Sequence, residues 1–293
     1  MENIFKGVGV AIVTPFNDDK SIDYDGLKKL VQLQINGGTD YIVVQGTTGE
    51  SPNLSQEEKK IVLQTVLDEN QGRLKIVYGV GGNNTMAVGE LLKQVPQGVD
   101  GILSVSPYYN KPTQKGIIEH FKYVASCTDL PIILYNVPGR TSSNMSVETT
   151  LELAKISNIV AIKEASGNIE QIMDLLRLKP EGFGIISGDD PITFPLLTMG
   201  ADGVISVVAN ALPEKFSQMV HAGIKGDYDK AKTIHFDLIP ITKYFFEEGN
   251  PAGVKVALKA RNICSTHLRL PLVEVSENLY NRIESETKRI INN

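Results

Sequence analysis

The chain has 293 residues, 42% of them hydrophobic and 22% charged, with 29 basic against 34 acidic side chains for a formal net charge of −5. That length and apolar content suit one large domain or two small ones and exclude intrinsic disorder; no run approaches the roughly eighteen unbroken apolar residues of a membrane span. With Lys and Arg scattered rather than clustered there is no electrostatic footprint for a phosphate backbone, so neither nucleic acid nor a membrane is an expected partner.

From the N-terminus, Met1-Glu2-Asn3-Ile4-Phe5-Lys6-Gly7 lacks the basic start, long apolar core and small-residue cleavage site of an export leader. Short β-branched runs then follow at 8–13, 41–44, 76–78, 101–105, 132–135, 159–162, 184–186 and 204–208. They are nearly continuous rather than alternating, the pattern of strands covered on both faces, which implies parallel pairing. Helix signals lie between them. In Ser55-Gln56-Glu57-Glu58 a Ser followed three residues later by Glu predicts a capping box, with Ile61, Val62, Thr65 and Val66 as the buried face beyond it. Spread over eight units, residues 7–223 average about 27 each, the size of a compact β-α repeat. The expected fold is α/β, a (β/α)8 TIM barrel, with a doubly wound open sheet as the competing architecture.

Beyond residue 223 the strand signal stops. Tyr228, Ala231, Ile234, Leu238, Ile241 and Phe245 recur at spacings of three or four, a helical stripe with an expected kink at Pro240. Helical segments at 253–262 and 276–290 complete a C-terminal all-helical extension. The expected organisation is a catalytic barrel over residues 1–223 and a helical region over 224–293 packed on it.

A barrel of this kind carries its site at the carboxyl ends of the strands. Those positions hold Thr14, Gly46-Thr47-Thr48-Gly49-Glu50, Ser106-Pro107-Tyr108-Tyr109-Asn110, Tyr135-Asn136-Val137-Pro138-Gly139-Arg140-Thr141, Lys163-Glu164 and Ser187-Gly188-Asp189-Asp190. Lys163 is the strongest clue, because it interrupts an apolar strand and alternation places it with Ala161 toward the interior. A desolvated amine is the form that attacks a carbonyl, which gives a Schiff-base reading; the competing one is a lysine paired with a barrel carboxylate such as Asp189. Tyr135 shares a face with Ile133, either as a proton carrier or as a cap on the core. Thr47 and Thr48 lie in a Gly-flanked turn that serves loop geometry alone or, with backbone N–H groups, holds a carboxylate. Arg140 is either solvated or a bidentate carboxylate ligand. Gly79-Val80-Gly81-Gly82-Asn83-Asn84 matches neither nucleotide motif, and His120, His221, His235 and His267 make no i, i+4 pair. Cys127 and Cys264 fall in no C-x-x-C spacing, so no metal and no disulfide is expected, and the cytoplasm is the expected compartment.

Together, Gly46-Thr47-Thr48-Gly49-Glu50, the Tyr135-to-Thr141 segment and Ile162-Lys163-Glu164-Ala165 strongly resemble the pyruvate-dependent class I aldolases, the family that includes dihydrodipicolinate synthase and N-acetylneuraminate lyase. The likeness covers essentially the whole chain, through Ser187-Gly188-Asp189-Asp190 and Gly203-Val204-Ile205-Ser206-Val207. Arg140, and Thr47-Thr48 where the lyases favour Ser-Thr, bring it closest to the synthase branch. The resemblance implies a cofactor-free condensation of pyruvate with L-aspartate-4-semialdehyde on the route to diaminopimelate and lysine. It implies an imine between Lys163 and pyruvate, a proton relay of Tyr135, Thr47 and Tyr109, the pyruvate carboxylate on Thr48 and the semialdehyde carboxylate on Arg140. The backbone around Gly188 and Ile205 would line the pocket.

In the family Tyr109 comes from the neighbouring subunit, so the resemblance also implies a homodimer, commonly paired into a homotetramer. Members inhibited by lysine bind it at the dimer interface, and the matching positions here are Ser51, Gln56, Lys59, Asn83, Ala87 and Tyr108. With no carboxylate at Ala87 and an ammonium at Lys59, a degenerate effector site and little lysine inhibition are expected. Two rivals remain: an aldolase for a sugar-derived 2-keto acid of the 2-keto-3-deoxygluconate or N-acetylneuraminate type, and a non-catalytic keto-acid sensor.

Overall fold

The computed structural model describes residues 4–292; residues 1–3 and 293, which include the outer ends of the two expected spans and the start of the N-terminal stretch, lie outside the described residues. Eight parallel strands follow one another around a ring: β1 (Gly7–Ala11), β2 (Tyr41–Val44), β3 (Lys75–Gly79), β4 (Gly101–Val105), β5 (Ile132–Asn136), β6 (Ile159–Glu164), β7 (Gly184–Ser187) and β8 (Gly203–Ser206). β8 closes on β1 with Gly7 beside Gly203 and Val10 beside Ser206, which decides for the barrel over the open sheet. Each apolar run falls on one strand, with ends that differ by no more than two residues. The first and last runs overshoot because side chains take over the ladder: Asn210 Oδ1 accepts the Val13 N–H at 3.0 Å, and Asp190 Oδ2 accepts those of Val207 and Val208 at 2.9 and 3.0 Å.

Helices follow the strands: α1 (Tyr24–Asn36), α2 (Gln56–Asn70), α3 (Thr85–Leu92), α4 (Gln114–Ser126), the single turn α5 (Pro138–Thr141) with α6 (Val147–Leu153), α7 (Ile169–Leu178), α8 (Thr193–Thr198) and α9 (Pro213–Ile224). α2 starts with the expected capping box. Ser55 Oγ accepts the Glu58 N–H at 3.1 Å and the Glu58 carboxylate accepts the Ser55 N–H at 2.8 Å, an arrangement worth about 1 kcal/mol. Its buried face is Val62, Leu63, Val66 and Asn70. Ile61 is 42% exposed instead, because a step of about 100° per residue turns it off the face centred on those four.

Alternation along the strands sorts their side chains into two layers. Ile42, Val44, Leu134, Ile162 and Ile185 face the helices, whereas Val43, Val77, Ile133, Ala161, Ile186 and Ile205 fill the barrel. Phe5 and Tyr41 plug its amino-terminal end with ring centroids 5.6 Å apart. The Tyr41 ring lies so close over Gly9 that a Cβ there would be 2.2 Å from it, so the plug needs glycine at that position. The interior is thereby sealed at one end, and the other is left for chemistry.

The C-terminal helices are α10 (Tyr228–Glu247), α11 (Ala252–Ala260) and α12 (Glu277–Asn292). α10 buries Ala231, Leu238, Ile241 and Phe245 and packs on α8 and α9, while Tyr228 in its first turn is exposed. Pro240 lies inside α10 without ending it. α11 is buried from Ala252 to Leu258, and just after it Arg261 grips Glu214 of α9 with two bonds of 2.9 and 2.8 Å. Among the described residues no helix is long and apolar enough to cross a membrane.

Candidate active site

β5 and β6 set the centre of the site through an irregularity in their pairing. Ile132 pairs with Ile159 but Ile133 with Ala161, so Val160 is an extra residue bulged out of the ladder. The slip places Tyr135 beside Lys163; with an unbroken register it would stand beside Ile162. Lys163 is 6% exposed, and its Nζ lies 4.3 Å from the centroid of the Tyr135 ring. No carboxylate pairs with Lys163 among the described residues. The partner weighed for it, Asp189, has its carboxyl pushed above the usual range by burial, with no cation pulling it down. Gly188 gives the amine its room, since a Cβ there would lie 2.7 Å from Ala165 Cβ and 3.1 Å from Lys163 Cε. The Tyr135 hydroxyl has no hydrogen bond within the described residues, which leaves it open to a ligand beside the amine.

β2 leads into the threonine turn. Gly49 N–H donates to Gly46 O and Glu50 N–H to Thr47 O, both at 3.1 Å, so the segment is a turn of 3₁₀ helix. The N–H groups of Thr47 and Thr48 head that turn and have no partner inside it, as at any helix start. Thr47 is exposed at the rim and Thr48 is buried. Thr14 Oγ1 donates to Gly49 O at 2.6 Å and fastens the turn to the end of β1. Glu50, at φ 53°, turns into the protein and is fully buried, where its carboxylate meets Lys255 Nζ at 2.7 Å and the Arg269 N–H at 3.1 Å. Lys255 also donates to His267 O at 2.7 Å; burial pushes its ammonium below the usual range while Glu50 opposes that shift. Asn250 Nδ2 donates to Thr48 Oγ1 at 2.9 Å.

Arg140 is exposed in α5, the turn that follows β5 at the same end of the barrel. That turn is tied down from beneath. Asn136 Nδ2 reaches Glu164 Oε2 at 3.0 Å and Asn144 Oδ1 at 2.8 Å, and Asn136 Oδ1 accepts the Met145 N–H at 3.0 Å. Burial raises the Glu164 carboxyl against the opposing bonds from Asn136, Ser166 and Gln171. Across the barrel, Ile205 is buried in the interior layer, and Asp190 braces the chain just after β8 through Val207 and Val208.

Tyr109 stands apart. It is 87% exposed at φ 73°, and no hydrogen bond or ring contact joins it to Tyr135 or Thr47 within the chain. Of the effector positions, Asn83 Nδ2 donates to Tyr108 O at 3.2 Å; Gln56 and Ala87 are exposed, and Lys59 is half-buried with its ammonium pushed down by desolvation. Asn136, Glu164, Asp190, Asn250 and Lys255 shape the site, although the sequence reading assigned none of them a role there. A charged Glu164 directly after Lys163 in an apolar strand was the one signal available. Among the described residues no group of three or more His, Cys, Asp or Glu side chains could hold a metal ion.

The dihydrodipicolinate synthetase family model matches residues 4–290. A curated relative, the 4-hydroxy-tetrahydrodipicolinate synthase of Parabacteroides distasonis, is 52% identical over 97% of this chain and 97% of its own. That of Flavobacterium psychrophilum is 51% identical over 98% of both. The crystal structure of dihydrodipicolinate synthase from Aquifex aeolicus superposes with a TM-score of 0.94 at 41% identity, covering 98% of each chain.

Proposed function

Because the chain belongs to the dihydrodipicolinate synthetase family, we propose that it condenses pyruvate with L-aspartate-4-semialdehyde through a Schiff base on Lys163, as a lyase-type aldolase of the diaminopimelate and lysine route. The observation that carries this reading is Lys163 itself: an amine inside a barrel, free of any ion pair among the described residues, with a phenol ring 4.3 Å away and a glycine making space for it. The relatives' common activity supports it over a sugar-acid aldolase.

In this reading Lys163 Nζ attacks the pyruvate carbonyl and water leaves, giving an iminium. The iminium draws electrons from the methyl carbon, which loses a proton to become an enamine and adds to the aldehyde. Tyr135 and Thr47 carry the protons, with Tyr109 completing the relay from a neighbouring subunit, a role that suits a phenol so exposed on its own chain. Thr48 and the N–H groups heading its turn hold the pyruvate carboxylate, Arg140 holds that of the semialdehyde, and Gly188 and Ile205 line the pocket. The iminium is itself the electron sink, so the chemistry asks for no cofactor or metal.

A homodimer, or a homotetramer built from two, is the assembly this reading requires, and two unpaired cysteines suit a reducing cytoplasm. Weak or absent lysine inhibition belongs to the same reading. The test is pyruvate consumption by the purified protein with L-aspartate-4-semialdehyde, beside N-acetylmannosamine and glyceraldehyde. Fast turnover with the semialdehyde alone is the expected result, and a preference for either sugar aldehyde overturns it.

A further inference from the structure

Thr48 reaches the mouth of the barrel with its hydroxyl already engaged. A hydroxyl has one proton to give and two acceptor sites, and Asn250 Nδ2 fills one of those sites at 2.9 Å. The donor comes from the link between α10 and α11, 202 residues further along the chain. It is held rigidly, because α11 is buried from Ala252 to Leu258 and Lys255 within it is locked onto Glu50 of the same turn. The other amide atom, Asn250 Oδ1, is buried and has no partner among the described residues. An unpaired buried acceptor is unfavourable, and packing alone would be served as well by an apolar side chain.

We infer that Asn250 is a positioning residue for the keto-acid carboxylate: it occupies the acceptor side of the Thr48 hydroxyl and so commits the Thr48 proton to the substrate. The inference rests on the keto-acid reading of the site. With the amide donating to it, the hydroxyl does not give its proton to Asn250 and keeps it for an anion at the mouth, which is what a carboxylate requires. An aspartate at 250 reverses this, since it accepts the Thr48 proton and adds a negative charge beside the incoming carboxylate.

The test is borohydride trapping of pyruvate on the full-length protein over a range of pyruvate concentrations, with steady-state kinetics alongside. Asn250→Ala is expected to raise the half-saturating pyruvate concentration about tenfold, the upper end for losing the one hydrogen bond that fixes the Thr48 hydroxyl, and N250D to raise it further. The maximal extent of trapping and the KM for the semialdehyde should change less than about twofold, a split that general loosening of the fold does not produce. In a Thr48→Val background, Asn250→Ala should add less than about twofold, because the hydroxyl it acts through is gone. If Asn250→Ala fails to fold, the near-isosteric and neutral Asn250→Leu carries the same comparison. Unchanged half-saturation in N250D, or an Asn250→Ala effect of equal size in both Thr48 backgrounds, overturns the inference. Absence of any Lys163 adduct in the unsubstituted protein overturns the keto-acid reading and the inference with it.

Discussion

Lys163 and Arg140 serve different substrates in the proposed reaction, so single substitutions should separate the two half-steps. Lys163→Ala removes the nucleophile and should abolish borohydride trapping of pyruvate together with turnover. Arg140→Ala should leave trapping intact and lower kcat/KM for the semialdehyde about a hundredfold or more, since a bidentate guanidinium contributes two charge-assisted bonds of roughly 1.5–3 kcal/mol each. Trapping lost in Arg140→Ala, or retained in Lys163→Ala, would show that the roles are misassigned. The effector positions make a second residue-scale case. Losing one carboxylate at Ala87 should weaken lysine binding about 10- to 100-fold, and the Lys59 ammonium adds repulsion. Initial rates should therefore be insensitive to lysine, and half-inhibition at low lysine concentration would overturn that. Lys163 is legible in the sequence because a charge inside an apolar strand has few explanations. Asn250 and Lys255 are not, because their partners Thr48 and Glu50 lie 202 and 205 residues away and no local pattern names those partners.

Between elements, two joints decide the site: the bulge at Val160 and the clamp between the threonine turn and α11. The eight strands were readable because each is a short β-branched run, and their number and spacing favoured a closed ring over an open sheet, a choice decided by the pairing of β8 with β1. The bulge was not readable, since Ile159-Val160-Ala161-Ile162 is apolar on both faces and gives no sign of which residue is unpaired. Likewise the apolar runs overshoot the strands at Val13 and Val207, whose N–H groups go to Asn210 and Asp190, acceptors that a local pattern does not contain. The clamp yields a prediction. Lys255→Met strands the fully buried Glu50 carboxylate without its cation, which should cost about 3–5 kcal/mol. Removing both charges relieves that penalty, so Lys255→Met with Glu50→Gln should be more stable than Lys255→Met alone. Midpoints of urea unfolding measure the order, and a double variant less stable than the single one would mean that the pair acts through packing rather than charge.

At the scale of the whole molecule, two buried groups pull the pH dependence of stability in opposite directions. Burial raises the Asp190 carboxyl to about 6, with the bonds from Ser206, Val208 and Val207 opposing the shift. Desolvation lowers the His120 imidazole to about 4, where only its Nδ1 has a partner, Thr85 Oγ1 at 2.9 Å. As pH falls from about 6 toward 4, the folded chain takes up a proton at Asp190 before the unfolded chain does, so acidification stabilises through this group. As pH falls from 6.5 toward 4, the unfolded chain protonates its histidine while the folded chain does not, so acidification destabilises through His120. Each contribution is of the order of 3 kcal/mol, and they largely cancel. Burial shifts His235 downward too and adds to the His120 side, while the raised Glu164 and Asp189 carboxyls add to that of Asp190. The Glu58 carboxyl, held near 2 chiefly by its bond to Arg269, loses its contribution mainly below the window, as pH falls from 4.5 to about 2. Asp190 follows β7 and His120 lies in α4, with no shared partner, so single substitutions should expose each side in turn. With Asp190→Asn, which can still accept from Val207 and Val208, the Tm should fall more steeply between pH 6.5 and 4 than in the parent. With His120→Asn it should fall less steeply, and parallel Tm profiles for the three proteins would show that neither group is titrating as its burial requires.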